Sequence, residues 1–278
     1  MKVGLVGCGK WGKHILRDLT DLGCEVPVVT SSGRVADLVG VDGIVVATPT
    51  TTHAEITEQA LELGVPVFVE KPLTDDPDEA ERLAEAAPDR VFVMDKWRYH
   101  PGVELLAEIA RSGELGRVVG LRTTRIGWGN PHDVDAVWIL APHDLAIALE
   151  IFGSVPSAKS AVAMSLDGEA EGLVGLLGDS PWHALEVSAR SVDRRREVTL
   201  VCEEGVAVLP DGYSDHVVVA TGDEPEQRPI STELPLLREL RAFVEHLDGG
   251  PPPRSSAREG AEIVRTIAEL RRFAGLPG

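Results

Sequence analysis

The chain has 278 residues, 43% of them hydrophobic, and 45 acidic against 27 basic side chains give it a net charge of −18. That is enough apolar material for one large or two ordinary domains; no apolar run reaches the roughly 18 residues of a membrane span, and so acidic a surface repels nucleic acid. Three scattered cysteines (Cys8, Cys24, Cys202) form neither a disulfide framework nor a zinc motif, and "MKVGLVGCGK" reads as a first strand rather than a secretory leader, so a cytoplasmic protein is expected.

Up to about residue 100 two patterns alternate. Nearly unbroken apolar runs at 2–7, 26–30, 43–48 and 66–70, with a further run at 90–95, predict strands covered on both faces, as in a parallel sheet. Helices are predicted between them over 11–22, 52–63 and 77–86, the last with Asp76 as N-cap and Pro77 in its first turn. This βαβ series predicts an α/β, doubly wound domain over residues 1–116. From 117 onward strand patterns follow one another at 117–127, 157–166, 170–178, 181–191, 196–209 and 215–221. His183, Leu185 and Val187 alternate with Ala184, Glu186 and Ser188, which predicts a largely antiparallel sheet with one open face. One helix, 141–153, interrupts these strands, and helices at 235–247 and 256–274 close the chain around a turn-rich 248–256. Residues 117–278 therefore read as a second, α+β domain.

Between the first strand and the first helix stands Gly7-Cys8-Gly9-Lys10-Trp11-Gly12, a G-x-G-x-x-G pattern in the context that motif needs. Gly7 would permit the turn, Gly9 the approach of a pyrophosphate to the backbone, and Gly12 close helix–strand packing. Backbone N–H groups at the helix start then carry the anion, which matters in so acidic a protein. The second strand ends in Thr30-Ser31-Ser32-Gly33-Arg34, without the carboxylate that usually binds an adenosine ribose. Ser31, Ser32 and Arg34 suit a 2′-phosphate, so NADP is expected, with NAD as the alternative. Only about a dozen residues separate this strand from the next, short for a crossover with its own helix.

The fourth strand, "VPVFVEKPLT", ends in Glu70, Lys71 and Pro72. Burying a charge costs several kcal/mol unless it is paired. Either the acid and the amine form a structural bridge, or the lysine is held there to act on something.

With the glycine loop, "ATPTTTHAEITEQALELGVPVFVEKPLT" and the strand-rich second half, the chain resembles the glucose–fructose oxidoreductase/inositol dehydrogenase (Gfo/Idh/MocA) family over nearly its whole length. The most specific feature is Ala47-Thr48-Pro49 with His53, followed by Glu70-Lys71-Pro72. The resemblance implies a Rossmann domain, a C-terminal α+β domain, a nicotinamide cofactor and a sugar or cyclitol hydroxyl, free or nucleotide-linked, exchanged with its ketone. It implies that Thr48, Pro49, Thr50, His53, Glu70 and Lys71 line the cofactor, with Lys71 beside the reacting carbon. Hydride transfer to a ketone creates an alkoxide, which an ammonium stabilises and protonates. The peptide before Pro72 is a candidate for cis.

The segment Trp138-Ile139-Leu140-Ala141-Pro142-His143-Asp144 resembles the family's W-D-L-A-P-H-D stretch. That implies His143 at the substrate hydroxyl, with Trp138 and Asp144 nearby and Pro142 at a helix start. Ile139 replaces the expected aspartate, and Asp133 or Asp135 are the candidates to orient His143 instead; the bland alternative is a histidine capping a helix. In "VMDKWRYHP", Lys96 is either a second cation at the nicotinamide or a partner of Asp95, while Trp97 and Arg98 either pack structurally or, for Arg98, reach the substrate. His132, Asp133, Asp135 and His143 match no standard ligand set, so no metal is expected. Three readings compete: a dehydrogenase, an enzyme that recycles its cofactor, and a scaffold that kept the fold without activity. The resemblance also implies a homodimer or homotetramer through the C-terminal sheet.

Overall fold

The computed structural model describes residues 1–129, 133–222 and 224–277, which gather into two compact units. The first comprises Met1–Lys96 with Leu234–Arg265, the second Trp97–Glu233 with Thr266–Gly278. By this grouping the helix over 235–247 belongs wholly to the first unit, and the helix over 257–273 passes from the first unit to the second after Arg265.

In the first unit β1 (Val3–Val6), β2 (Val28–Val29), β3 (Gly43–Val46), β4 (Val67–Glu70) and β5 (Val91–Met94) form a parallel sheet in the order β2-β1-β3-β4-β5. Every residue of β1, β3, β4 and β5 is buried, which is why these runs lack polar alternation. Helices α1 (Gly12–Asp21), α2 (His53–Leu61) and α3 (Pro77–Ala86) follow β1, β3 and β4. Asp76 caps α3 as expected, accepting from the N–H groups of Asp78 and Glu79 at 2.8 and 3.0 Å. Only a 3-10 turn at Val35–Asp37 lies between β2 and β3, the abbreviated crossover that the spacing predicted. The chain leaves β1 toward β2 on one side and returns to β3 on the other, so the carboxyl ends of β1 and β3 flank the topological switch point where such sheets bind ligands.

In the second unit an eight-stranded sheet runs in the order β13-β12-β11-β10-β6-β9-β8-β7. Its strands are β6 (Val118–Trp128), β7 (Ala158–Leu166), β8 (Glu169–Gly178), β9 (Trp182–Ser188), β10 (Arg190–Cys202), β11 (Val206–Leu209), β12 (His216–Ala220) and β13 (Glu226–Pro229). Neighbours are antiparallel except β6 and β9, which pair in parallel. Two differences from expectation have plain causes. The run 196–209 is a hairpin, because Glu203-Glu204-Gly205 turns the chain, with Cys202 N–H donating to Gly205 O at 2.9 Å. Strand β13, too polar to show a pattern, was not anticipated. His183, Leu185 and Val187 are buried as their alternation predicted; the His183 ring contacts Thr123 Oγ1 at 3.0 Å, and burial pushes its pKa down to about 3, so it stays neutral.

Two helices cover this sheet: α4 (Pro101–Ser112) lies against β10, β11 and β12, and α5 (Ala136–Phe152) against β6, β8 and β9. Helix α4 was not anticipated, although its signals are present: His100 accepts from Gly102 N–H, Pro101 opens the first turn, and Gly113 ends the helix at φ 69°. Helix α5 starts at Ala136, not 141; Asp135 is its N-cap and Pro142 lies inside it. It is fixed to β6 by a buried ion pair, Arg125 Nε to Asp144 Oδ2 at 2.8 Å and Nη2 to Oδ1 at 3.3 Å. Helices α6 (Pro235–Leu247) and α7 (Ala257–Phe273) close the chain, Phe243 of α6 stacking on Phe68 of β4 at 4.9 Å. No helix among the described residues is long and apolar enough to cross a membrane.

Breaking the Arg125–Asp144 pair from one side strands a buried charge. Arg125→Met is expected to cost about 3–5 kcal/mol in urea unfolding, and Arg125→Met with Asp144→Leu to recover most of it.

Candidate active site

At the end of β1, Gly7 takes φ 93°, a left-handed conformation that side chains rarely adopt, and a Cβ there would collide with the carbonyl of Ala47. A Cβ on Gly12 would strike the carbonyl of Gly7, whereas one on Gly9 would meet nothing within 4 Å. Two of the three glycines thus bring backbones together, and the middle one faces open space. Trp11 occupies the N-cap position of α1 without a side-chain cap bond, and no acid stands in the first turn, so this helix start keeps its positive end. These residues fit a dinucleotide pyrophosphate. Cys8 is half-buried, and Lys10 is exposed.

Trp11 then joins three strand ends. Its indole Nε1 donates to Glu70 Oε1 at the end of β4, and Lys96, past the end of β5, sets its ammonium 4.0 Å from the centre of the indole. The other Glu70 oxygen accepts from the backbone N–H of Lys71 at 3.1 Å. Lys71 is half-buried, and the Lys71–Pro72 peptide is cis. The ring of buried His53 lies between two carbonyls, Nδ1 2.8 Å from Pro72 O and Nε2 3.1 Å from Thr48 O, and so ties the end of β4 to the end of β3. Thr48 Oγ1 accepts from Thr52 at 2.9 Å, Thr50 is buried, and Pro49 precedes the 3-10 turn that leads into α2. Gly7 to Gly12, Thr48 to His53, Glu70, Lys71 and Lys96 are therefore gathered at the carboxyl edge of one sheet.

At the end of β2, Ser31, Ser32 and Arg34 are exposed, and Arg34 pairs with Asp37 at 2.8 Å, which holds the Asp37 carboxyl below its ordinary range. The absence of a carboxylate near this strand end is thus corrected: the 3-10 turn brings Asp37 back beside the guanidinium.

Sequence reasoning also missed Glu239. It lies on the apolar face of α6, with Leu236, Leu240 and Phe243, and is wholly buried. Neither carboxyl oxygen has a hydrogen-bond partner among the described residues. Burial pushes the carboxyl well above its ordinary value, Glu70 and Asp95 add to the rise, and Lys96 opposes it. Glu239 is thus a neutral acid held behind the Glu70–Trp11–Lys96 group. A glutamate at the centre of an apolar helix stripe was its signal.

In the second unit the expected substrate residues are placed differently. His143 is half-buried on α5, with Ile139 buried one turn before it. Asp135 does not orient His143: it caps α5 at the N–H groups of Val137 and Trp138 and pairs with Arg271 at 2.5 Å, while Asp133 is exposed. Trp138 is buried, with the Arg271 guanidinium 5.3 Å from its ring centre. Asp144 pairs with Arg125, and Arg98, near-buried, pairs with Glu150 at 3.0 Å. Trp97 packs between Arg125 and His100, the structural alternative. Among the described residues no three His, Cys, Asp or Glu side chains gather as for a metal, and His132 lies outside those residues.

Residues 22–93 match a family model described as an oxidoreductase family with an NAD-binding Rossmann fold. The dTDP-3,4-didehydro-2,6-dideoxy-alpha-D-glucose 3-reductase of Actinomadura kijaniata is 36% identical over 258 residues, 84% of this chain and 77% of that enzyme. The UDP-N-acetylglucosamine 3-dehydrogenase of Acidithiobacillus ferrooxidans is 32% identical over 133 residues, 46% of this chain and 41% of its own length. A solved structure of that enzyme superposes with a TM-score of 0.87 at 20% identity, covering 98% of this chain and 97% of the other. An Agrobacterium radiobacter oxidoreductase, solved with NAD+, L-tartaric acid and magnesium, gives a TM-score of 0.86 at 15% identity, covering 99% and 96%. At these identities the structural matches speak for the fold alone.

Glu239 gives the first unit a pH signature. Because its native pKa is raised, its contribution to stability is complete below its ordinary value of 4.5 and is lost as pH climbs toward the native value. Each unit of that rise is worth about 1.4 kcal/mol. Glu239→Gln keeps the shape without the charge, so its stability relative to wild type in urea unfolding is expected to grow from pH 5 to pH 8.

Proposed function

The chain belongs to the Gfo/Idh/MocA oxidoreductase family, and from that premise we propose that it interconverts a hydroxyl and a ketone on a sugar, cyclitol or sugar-nucleotide substrate, using NADP. The observation that carries this reading is the bond from the Trp11 indole to Glu70, which ties the lysine-bearing end of β4 to the glycine loop. When bound, the nicotinamide supplies the hydride acceptor or donor. The Gly9 backbone and the uncapped start of α1 hold the pyrophosphate. Lys71 moves the proton: its ammonium donates to the oxygen that gains charge as a ketone is reduced, and its amine takes that proton back in oxidation. Glu70 fixes where Lys71 leaves the strand, and Lys96 adds a second cation that favours the developing alkoxide. His143 assists at the substrate hydroxyl without an aspartate at 139.

NADP is favoured over NAD by Ser31, Ser32 and Arg34, because a 2′-phosphate can take the Arg34 guanidinium from its exposed partner Asp37. The three cysteines are free thiols, in keeping with a cytoplasmic setting. The outer face of β7 and β8 exposes Val162, Met164, Leu166, Val174 and Leu176, with Val162 directly opposite Val174. That apolar patch suits a second copy of this chain, as a homodimer or homotetramer.

Lys71→Met is expected to lower kcat by roughly 10²–10⁴-fold while NADPH affinity, read by fluorescence titration, stays near wild type; unchanged turnover would remove Lys71 from the mechanism. Val174→Glu is expected to convert the wild-type oligomer to monomer in light scattering coupled to size exclusion, with the circular dichroism spectrum preserved.

A further inference from the structure

A second polar site lies wholly within the second unit. Strands β6 and β9 form the one parallel pair of their sheet among the described residues, and a pocket of about 150 Å³ opens at their shared carboxyl end. Trp128, Ser188, Leu140, Arg194 and Arg196 line it, and among the described residues no carboxylate does. Leu140 precedes His143 by one turn of α5, so pocket and histidine share a helix face. Strand β10 is irregular here: its register against β6 shifts between Arg190 and Arg195, and the extra residues carry Arg194 out of the ladder. Both arginines approach Gly127: a Cβ at that position would make ordinary contact, 3.8 Å from Arg196 Nη2 and 4.0 Å from Arg194 Cγ.

The charge in this pocket is not balanced locally. Among the described residues neither Arg194 nor Arg196 has an ion pair; Arg196 gives Nη1 to the carbonyls of Ile126 at 2.5 Å and Arg195 at 2.8 Å, and Arg194 sits 5.9 Å from the Tyr213 ring centre. Burial pushes the Arg196 pKa down to about 10, with repulsion from Arg125 and Arg194 adding to the fall against the pull of Asp144 and Asp211. In a chain with 45 acids to 27 bases, two neighbouring guanidiniums with no direct ion pair among the described residues are a costly arrangement that an anion would relieve. Trp128 stands beside them, 73% exposed; the Arg190 guanidinium, itself paired with Glu171, lies 5.4 Å from its ring centre, and the rest of the ring is open to a ligand. The pocket is smaller than the roughly 300–1,000 Å³ that encloses a whole ligand, so it suits one group of a larger molecule.

We propose that Trp128, Arg194 and Arg196 form an anion subsite for the phosphate or diphosphate of a phosphorylated sugar substrate, with Trp128 covering the adjoining ring. This deepens the reading given above, and rests on it for the identity of the reacting sugar. Planar guanidiniums match phosphate oxygens two at a time, and such charged hydrogen bonds are the strong ones.

The test is isothermal titration of the full chain with UDP, glucose 1-phosphate, inorganic phosphate and uncharged glucose, each with and without NADPH. UDP or glucose 1-phosphate is expected to bind and glucose alone to bind far more weakly. Tighter binding of UDP assigns a nucleotide-linked sugar; equal binding of UDP and glucose 1-phosphate assigns a sugar phosphate. Arg194 is exposed, so Arg194→Ala keeps the fold; it is expected to weaken these ligands roughly tenfold or more, Arg194→Lys to restore part of the loss, and NADPH affinity to hold. Equal affinity in wild type and Arg194→Ala, or no phosphate binding by a wild type that still binds NADPH, overturns the subsite. Arg194-dependent phosphate binding without NADPH binding leaves the subsite standing and sinks the dinucleotide reading instead.

Discussion

Glu70 and Lys71 are adjacent on one strand end, so whatever holds the first side chain aims the second. Glu70 is held from two sides, by the indole of Trp11 and by the N–H of its own neighbour. This places a carboxylate beside Trp11 of the glycine loop, immediately before half-buried Lys71. The loop in turn has little freedom, because Gly7 and Gly12 are pressed against backbone carbonyls. The carboxyl edge of the first unit's sheet is thus positioned by backbone contact, with the Trp11–Glu70 bond linking the loop to the end of β4.

Charge is distributed with the same economy. A protein this acidic has to place its cations where anions are to be met. In the first unit the start of α1, Lys71 and Lys96 stand against Glu70, Asp95 and the buried Glu239, and Glu239 is spared the repulsion by staying protonated. In the second unit, by contrast, acids and bases pair directly where they are structural, as in Arg125–Asp144 and Arg98–Glu150, while Arg194 and Arg196 stand beside the pocket with no ion pair among the described residues.

Much of the first unit was legible in the sequence because its signals are local. Unbroken apolar runs mark the strands, Asp76 and Pro77 mark a helix start, and the glycine spacing marks the loop. The second unit was harder to read. Helix α4 follows at once on the aromatic–arginine pair Trp97-Arg98, and Pro142, a residue that usually marks a first helical turn, lies inside α5, whose N-cap is Asp135. Residues whose role depends on partners distant in sequence could not be read at all. Asp144 finds Arg125 across 19 positions, Arg271 finds Asp135 across 136, and Glu239 nears Glu70 only because α6 folds back into the first unit.

The return of α6 bears on how the molecule is made. Leu236, Leu240 and Phe243 belong to the same apolar core as Val3, Leu5 and Phe68, and this unit runs on to Arg265. The nascent N-terminal portion therefore cannot finish its core when its five strands leave the ribosome; it must wait, with Phe68 unstacked, until nearly the entire polypeptide has been translated. A gene segment ending after the fifth strand would encode an unfinished core, so in this protein the dinucleotide fold is not a module that a single genetic crossover could transplant.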